Sequence, residues 1–183
     1  NSIVRSVKVV GDKVFTGSFM DFGIWEKNEF GKLSYSSLVK ALNLEILEDE
    51  QFWSINVLDG WLLFQSLSRI YIINLDTKES RVISSESPIT KMFKVNDEIY
   101  FQKRGKGIFK IQNGTTKLVY NNNIVINNEI ISILELDSKL LFATDKNGIY
   151  KQDNCSFLPF IDKDESILNN INIYSALKLE DNS

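Results

Sequence analysis

Apolar residues in this chain fall in short runs or in strict alternation with polar ones, and small turn pairs close the runs at regular distances. The turn pairs are Gly11-Asp12, Asp59-Gly60, Asn96-Asp97, Asp137-Ser138 and Glu180-Asp181. The last apolar residues before them are Val10, Leu58, Val95, Leu136 and Leu179, so the register recurs at intervals of 48, 37, 41 and 43 residues. Three positions further back stand Val7, Ile55, Met92, Ile133 and Ala176, and one more step gives Ser6, Ser54, Lys91, Ser132 and Ser175. After each of the first four turns an apolar residue is followed by phenylalanine, at Val14-Phe15, Leu63-Phe64, Tyr100-Phe101 and Leu141-Phe142. An isoleucine and an aromatic come next, at Ile24-Trp25, Ile70-Tyr71, Ile108-Phe109 and Ile149-Tyr150. Glycine precedes that pair as Gly23, Gly107 and Gly148, with Arg69 in its place in the second repeat. Self-similarity of this period marks a repeat architecture.

Each repeat holds four short runs, which in the third are 89–95, 98–102, 107–111 and 116–120. Richness in Ile, Val, Phe and Tyr, with Asn-Gly and similar pairs between the runs, is strand and hairpin chemistry. Four antiparallel strands per ~40 residues make one propeller blade, and stacked blades cover the faces that a lone sheet would leave exposed. The sequence therefore predicts an all-β fold, a β-propeller arc of four four-stranded antiparallel blades at about 3–36, 52–85, 89–121 and 130–161. The first strand of a fifth blade is expected at 172–181, so the chain is read as an arc of a larger ring or as one whose missing strands come from elsewhere. The serines are expected on the innermost strand, beside a wet channel, and the aromatics between blades, where each removes ~150 to 250 Å² from water. Residues 36–47 carry Leu38, Ala41, Leu42 and Ile46 at a spacing that suits one or two helical turns. Glu45, Glu48, Asp49 and Glu50 follow as an acidic loop, read as solvated surface.

Composition narrows the chemistry. Of 183 residues 43% are apolar, enough to fill a core, and 21 basic against 24 acidic residues leave a net charge of -3. That balance gives no excess to neutralise phosphates along a duplex, so direct nucleic-acid binding is not expected. Histidine is absent, which removes imidazole bases and the commonest zinc ligand, and Cys155 alone can form neither an internal disulfide nor a metal site. No motif pairs carboxylates or sets a serine beside a base, so no catalytic residues, metal or cofactor are expected. The segments 145–148 and 162–165 resemble calcium loops but lack the full alternation of oxygen ligands and the distal Glu. The sequons at Asn113 and Asn154 are read as accidental in so Asn-rich a chain. No apolar run is long enough to span a membrane, and residues 1–10 alternate with Arg5 and Lys8 in place of a continuous apolar region, so any targeting sequence is expected outside this segment.

Basic residues cluster once, as Lys103, Arg104 and Lys106 in the loop between the second and third strands of the third repeat. Its equivalents are 18–22, 66–68 and 145–147. In a propeller these loops share one face with the links between blades, and that face is the place for a ligand site. The candidate ligand-binding residues are Phe19, Asp21, Gln65, Arg69, Gln102, Arg104, Lys106, Asp145 and Lys146.

The segments 16–25, 52–55, 64–71 and 173–177 resemble the two-component regulator propeller repeats, and the likeness runs over nearly the whole chain. It departs from the usual pattern in the second repeat, where Arg69 replaces glycine and the loop is short. The resemblance implies the periplasmic sensor region of a bacterial regulator that also carries a triple-tyrosine domain, a membrane helix, and a histidine kinase or helix-turn-helix output. It implies a small polar ligand, often a glycan fragment, together with the remaining blades and downstream domains of the same protein as partners, and allows a homodimer. The competing reading is a protein-protein interaction scaffold; a carbohydrate-active enzyme propeller has the least support.

Overall fold

The alternating runs become sixteen strands in a computed structural model that describes residues 3–154, 156–160 and 172–176. Blade 1 is β1 (Ser6–Val10), β2 (Lys13–Gly17), β3 (Phe22–Lys27) and β4 (Leu33–Ser37), followed by the single-turn helix α1 (Leu38–Ala41). Blade 2 is β5 (Ser54–Leu58), β6 (Trp61–Gln65), β7 (Arg69–Asn74) and β8 (Ser80–Ser84). Blade 3 is β9 (Ile89–Val95), β10 (Glu98–Lys103), β11 (Gly107–Gln112) and β12 (Thr115–Tyr120), with α2 (Asn123–Asn127) after it. Blade 4 is β13 (Ile130–Leu136), β14 (Lys139–Thr144), β15 (Ile149–Asp153) and β16 (Ser156–Pro159). Each blade is a four-stranded antiparallel meander in chain order. In the Asn113-Gly114 turn φ is +52° and +72°, the doubly left-handed geometry whose twist matches the strands it joins.

First strands of successive blades touch, β1 with β5, β5 with β9 and β9 with β13, so they line the axis of the arc. Three buried clusters fill the junctions: Phe15, Phe22, Phe52, Phe64 and Tyr71 lead the first, Ile70, Ile89, Ile99 and Phe101 the second, and Ile108, Ile130 and Phe142 the third. In the first, Phe22 stacks on Phe64 with ring centroids 4.1 Å apart and meets Phe52 edge-on at 4.7 Å. Ile55, Met92 and Ile133 are 8%, 4% and 3% exposed because each packs on the blade before it, whereas Val7, their counterpart in blade 1, is 59% exposed. Among the described residues nothing packs on that face of blade 1.

Pairing corrects the repeat alignment within blade 1. Ile55, Met92 and Ile133 face Phe64, Phe101 and Phe142, but Val7 faces Thr16. Phe15 is therefore one position out of the phenylalanine column and on the opposite side of the sheet, where it joins the core shared with blade 2. Phe64, Phe101 and Phe142 in turn face Tyr71, Phe109 and Tyr150, while Thr16 faces Gly23. Phe22-Gly23 is thus the structural counterpart of the isoleucine-aromatic pairs, Ile24-Trp25 lies two residues beyond, and Asp21, not Gly23, holds the place of Arg69, Gly107 and Gly148. Hydrogen bonding counts from the turn, and likeness of residue type does not move it.

Ser6, Ser132 and, in the same register, Lys91 reach across to the segment that follows their blade, while Ser54 Oγ is buried with no partner among the described residues. Ser6 Oγ donates to the Phe52 carbonyl at 2.9 Å, Lys91 Nζ to that of Ile131 at 2.7 Å, and Ser132 Oγ to that of Ala176 at 3.3 Å. A seam lies on the loop side, where Phe52 N–H donates to the Ser18 carbonyl at 3.2 Å, Ile89 N–H to Leu67 at 2.7 Å and Ile173 N–H to Asp145 at 3.0 Å. Residues 172–176 thus run beside blade 4 as a following blade's first strand would, but they form no assigned strand. The rest of the expected fifth strand, residues 177–181, lies outside the described residues, as do Cys155 and the 162–165 segment.

Candidate functional site on the loop face

Antiparallel meanders put the β2–β3, β6–β7, β10–β11 and β14–β15 loops on one face, together with the links between blades. The structure distributes the nine candidate residues around that face and does not gather them in one pocket. Phe19 is exposed and its backbone bridges to Gln51. Asp21 is spent on its own blade: Oδ1 accepts from Ser37 Oγ at 2.7 Å and Oδ2 from the Tyr35 hydroxyl at 3.0 Å. Burial, then the neighbouring Asp21 carboxylate, raises the Tyr35 phenol above its ordinary value.

Gln65 and Gln102 occupy equivalent positions opposite the serine column and are 1% and 2% exposed. Gln102 Nε2 donates to the Val125 and Asn128 carbonyls at 2.8 and 2.7 Å, and its Oε1 accepts from Thr90 Oγ1 and Ile130 N–H, both at 2.9 Å. Gln65 Nε2 donates to the Ser66 and Ile89 carbonyls at 2.8 and 2.9 Å, while its Oε1 has no partner. Both glutamines are ties between blades. Arg69 Nη1 donates to the Glu45 carbonyl at 3.1 Å and to the Tyr71 hydroxyl at 3.2 Å, so it anchors the link after α1. Asp145 uses its backbone to hold Glu129 and Ile173, and Lys146 stands exposed at the tip of its loop.

At the β10–β11 turn the Arg104 and Lys106 side chains make no hydrogen bond or ion pair among the described residues. Arg104 lies on one side, with Thr90, Asn127, Asn128 and Glu129 around a groove of about 170 Å³ between blades 3 and 4. Lys106 lies on the other, where Lys103, Phe109 and the serine-rich link Ser84, Ser85 and Ser87 line an open groove of about 470 Å³ between blades 2 and 3. The Lys103 ammonium sits 4.6 Å from the Phe109 ring centroid, a cation–π arrangement that fixes it at the groove wall.

One charged residue on this face departs from its expected place. Glu50, read as part of a solvated acidic loop, is 6% exposed. Its carboxylate accepts from Ser66 Oγ, from the Tyr71 hydroxyl at 2.8 Å and from Leu47 N–H at 3.1 Å. Charge runs give no sign of which member turns inward; the serine and tyrosine that receive Glu50 lie in the next blade. Beside it Phe19, Met20, Trp53 and Leu67 are exposed apolar groups of the same face.

Among the described residues no group of three or more Cys, Asp or Glu side chains is placed to hold a metal ion, and no helix is long and apolar enough to cross a membrane. No protein-family model matches the chain, and no curated protein matches it significantly. Solved structures do. The extracellular domain of BT4673 from B. thetaiotaomicron, a protein classed as a hybrid two component system, superposes at a TM-score of 0.66 with 19% identity over 94% of this chain and 24% of that one. The Neurospora crassa Pan2 WD40 domain gives 0.61 at 12% identity over 86% of this chain and 48% of that one. BamB from Moraxella catarrhalis gives 0.58 at 9% identity over 82% and 46%. The chain thus spans less than half the length of each. At such identities the likeness speaks for architecture alone, and with four stacked antiparallel blades around a common axis it establishes that the chain folds as a β-propeller arc.

Proposed function

We propose that this chain is a non-catalytic recognition segment of a sensor propeller, part of a bacterial signal-transduction or transcriptional regulator exposed outside the cytoplasm. Its ligand is polar and glycan-derived, and it seats in the loop-face grooves on either side of the β10–β11 turn. The observation that supports this reading is the placement of Arg104 and Lys106 at two loop-face grooves while Asp21, Gln65 and Gln102 bond to the scaffold. The likeness to the BT4673 extracellular domain supports it over nearly the full chain. Remaining blades and downstream domains of the same protein would receive the signal through the seams between sheets. A glycan array followed by titration of the best binder tests the reading. Saturable binding that the Arg104→Ala/Lys106→Ala pair abolishes is expected; binding that the pair leaves unchanged would remove the β10–β11 turn from the site.

A protein-interaction scaffold is the second reading, and the exposed Phe19, Met20, Trp53 and Leu67 at the junction of blades 1 and 2 favour it. It predicts no glycan binding and a protein partner whose affinity falls when Trp53 or Leu67 is replaced by Ala.

A further inference from the structure

The three ion pairs among the described residues occupy one rim, on the side opposite the loop face: Lys13–Glu26, Lys110–Glu98 and Lys139–Asp153. Each uses the residue that opens the second strand of its blade, Lys13, Glu98 or Lys139. In blade 2 that residue is Trp61, and the position paired with it across the sheet is Asn74. Blade 2 thus has an indole and an amide where blades 1 and 4 have an ion pair directly across the sheet and where Glu98 of blade 3 reaches Lys110 diagonally. A groove of about 290 Å³ opens there between blades 2 and 3, near the lower end of the ~300 to 1,000 Å³ range of small-molecule sites. Its floor is Leu63 and Ile72 from blade 2 with Ile99 and Ile111 from blade 3, and Trp61 forms a wall.

Arg81 crosses the outer end of this groove. Its guanidinium lies 5.8 Å from the Trp61 ring centroid, and Nη1 reaches the Asn113 carbonyl at 3.4 Å. Gly114 makes room for it, since a Cβ there would stand 2.5 Å from Arg81 Nη1 and 3.1 Å from Cδ. Among the described residues Arg81 has no carboxylate within ion-pair distance. Asp59, on the β5–β6 turn, is the groove's acid and stands at the end nearer the axis. The polarity is therefore ordered: an acid at the inner end, branched aliphatic side chains between, and an unpaired guanidinium at the outer end.

We propose that this groove binds an aliphatic carboxylate, its chain on the Leu63, Ile72, Ile99 and Ile111 floor against Trp61 and its carboxylate on Arg81. Asp59 repels the anionic end and fixes the direction of the chain. The site is on the opposite face from the loop grooves and stands independently of what they bind.

Titration of the ¹⁵N-labelled protein with octanoate, octylamine and 1-octanol tests this, read at the Trp61 indole N–H resonance, which Trp61→Phe identifies. Octanoate is expected to shift that resonance saturably and 1-octanol to bind more weakly by roughly tenfold or more; octylamine, which can seat its ammonium on Asp59 only by reversing, is expected to gain from Arg81→Gln where octanoate loses. Arg81→Gln, an exposed substitution, should weaken octanoate roughly tenfold or more, the worth of a charge-assisted hydrogen bond. The double replacement Trp61→Lys/Asn74→Glu rebuilds the blade 1 ion pair and, read at the backbone amides of Asn113 and Gly114 that also line the groove, should abolish the octanoate shifts while the remaining amide spectrum stays folded. Absence of a shift with octanoate, equal binding of 1-octanol, or an Arg81→Gln affinity for octanoate equal to the parent's would each overturn the proposal.

Discussion

The carboxylate of Glu50 meets the hydroxyl of Tyr71 at 2.8 Å inside the junction of blades 1 and 2, and the two come from different layers of the fold. Glu50 belongs to the link that leaves blade 1, and Tyr71 to the third strand of blade 2. With Ser66 Oγ and Leu47 N–H completing its acceptor sites, the carboxylate pins a link that has little regular structure of its own. The link in turn carries Phe52 into the aromatic cluster.

Replacement of Glu50 by Ala leaves the Leu47 N–H without its acceptor and turns the Tyr71 and Ser66 hydroxyls to longer bonds with the Glu45 and Arg69 carbonyls, at 3.2 and 3.3 Å, and should cost about 2 kcal/mol. Glu50→Gln keeps the shape and one acceptor oxygen and should cost less, about 1 kcal/mol. Urea denaturation of both variants checks the order and the size.

High pH should unfold the chain through its buried phenols. Burial pushes Tyr71 up to about 12; the hydrogen bond from Arg69 works against this rise, and the one to Glu50 adds to it. Burial first, then Glu98, raises Tyr100 as well. A phenol whose folded value is raised contributes stability that is complete below its unfolded value near 10 and is lost as pH climbs through the folded value. Tyr71 alone accounts for up to about 3 kcal/mol of that loss. Tyr71→Phe should therefore lower stability at pH 8 but flatten its decline between pH 10 and 12, read as denaturation midpoints at the two ends.

Two equivalent glutamines should respond unequally to Ala. Gln102→Ala abandons four partners, among them the buried Ile130 N–H, and should cost about 3 kcal/mol or more. Gln65→Ala abandons two carbonyls and relieves an unpartnered Oε1, so about 1 kcal/mol is expected. Equal losses in thermal or urea unfolding would refute the assignment of Gln102 as the stronger tie.

Within the β10–β11 turn the two glycines should separate. Gly107 has φ of +110° and a Cβ there would run into the Tyr120 carbonyl, whereas Gly105, at +68°, has open space around it. Gly105→Ala should cost about 1 kcal/mol from the left-handed backbone alone, and Gly107→Ala at least about 2 kcal/mol more. Chemical denaturation of the two single variants tests the difference.

The repeat was legible because every blade solves the same packing problem, so Ile55, Met92 and Ile133 recur at a fixed distance from a turn. Blade 1 misled within its strands, since Phe15 and Ile24-Trp25 imitate the columns by residue type while hydrogen bonding sets them on other positions. The loop face could be located from strand order, but the fate of its side chains could not. Gln102 and Asp21 look as available in the sequence as Arg104, and only the partners that folding brings to them, Val125, Ile130, Tyr35 and Ser37, remove them from solution. Glu50 was hidden for the converse reason, because its receivers lie sixteen and twenty-one residues away.

The loop-side seam has a mechanical corollary. The carbonyls of Ser18, Leu67 and Asp145 belong to loops that face a prospective ligand, and each also holds the N–H through which the next segment starts. The blades overlap like roof tiles, with the rim of one clipped to the leading edge of the next. A force that lifts the Ser18 or Leu67 loop is therefore delivered to the next blade where its axial strand begins, and between blades 3 and 4 the Gln102 side chain, whose Oε1 holds the Ile130 N–H, takes the place of the clip.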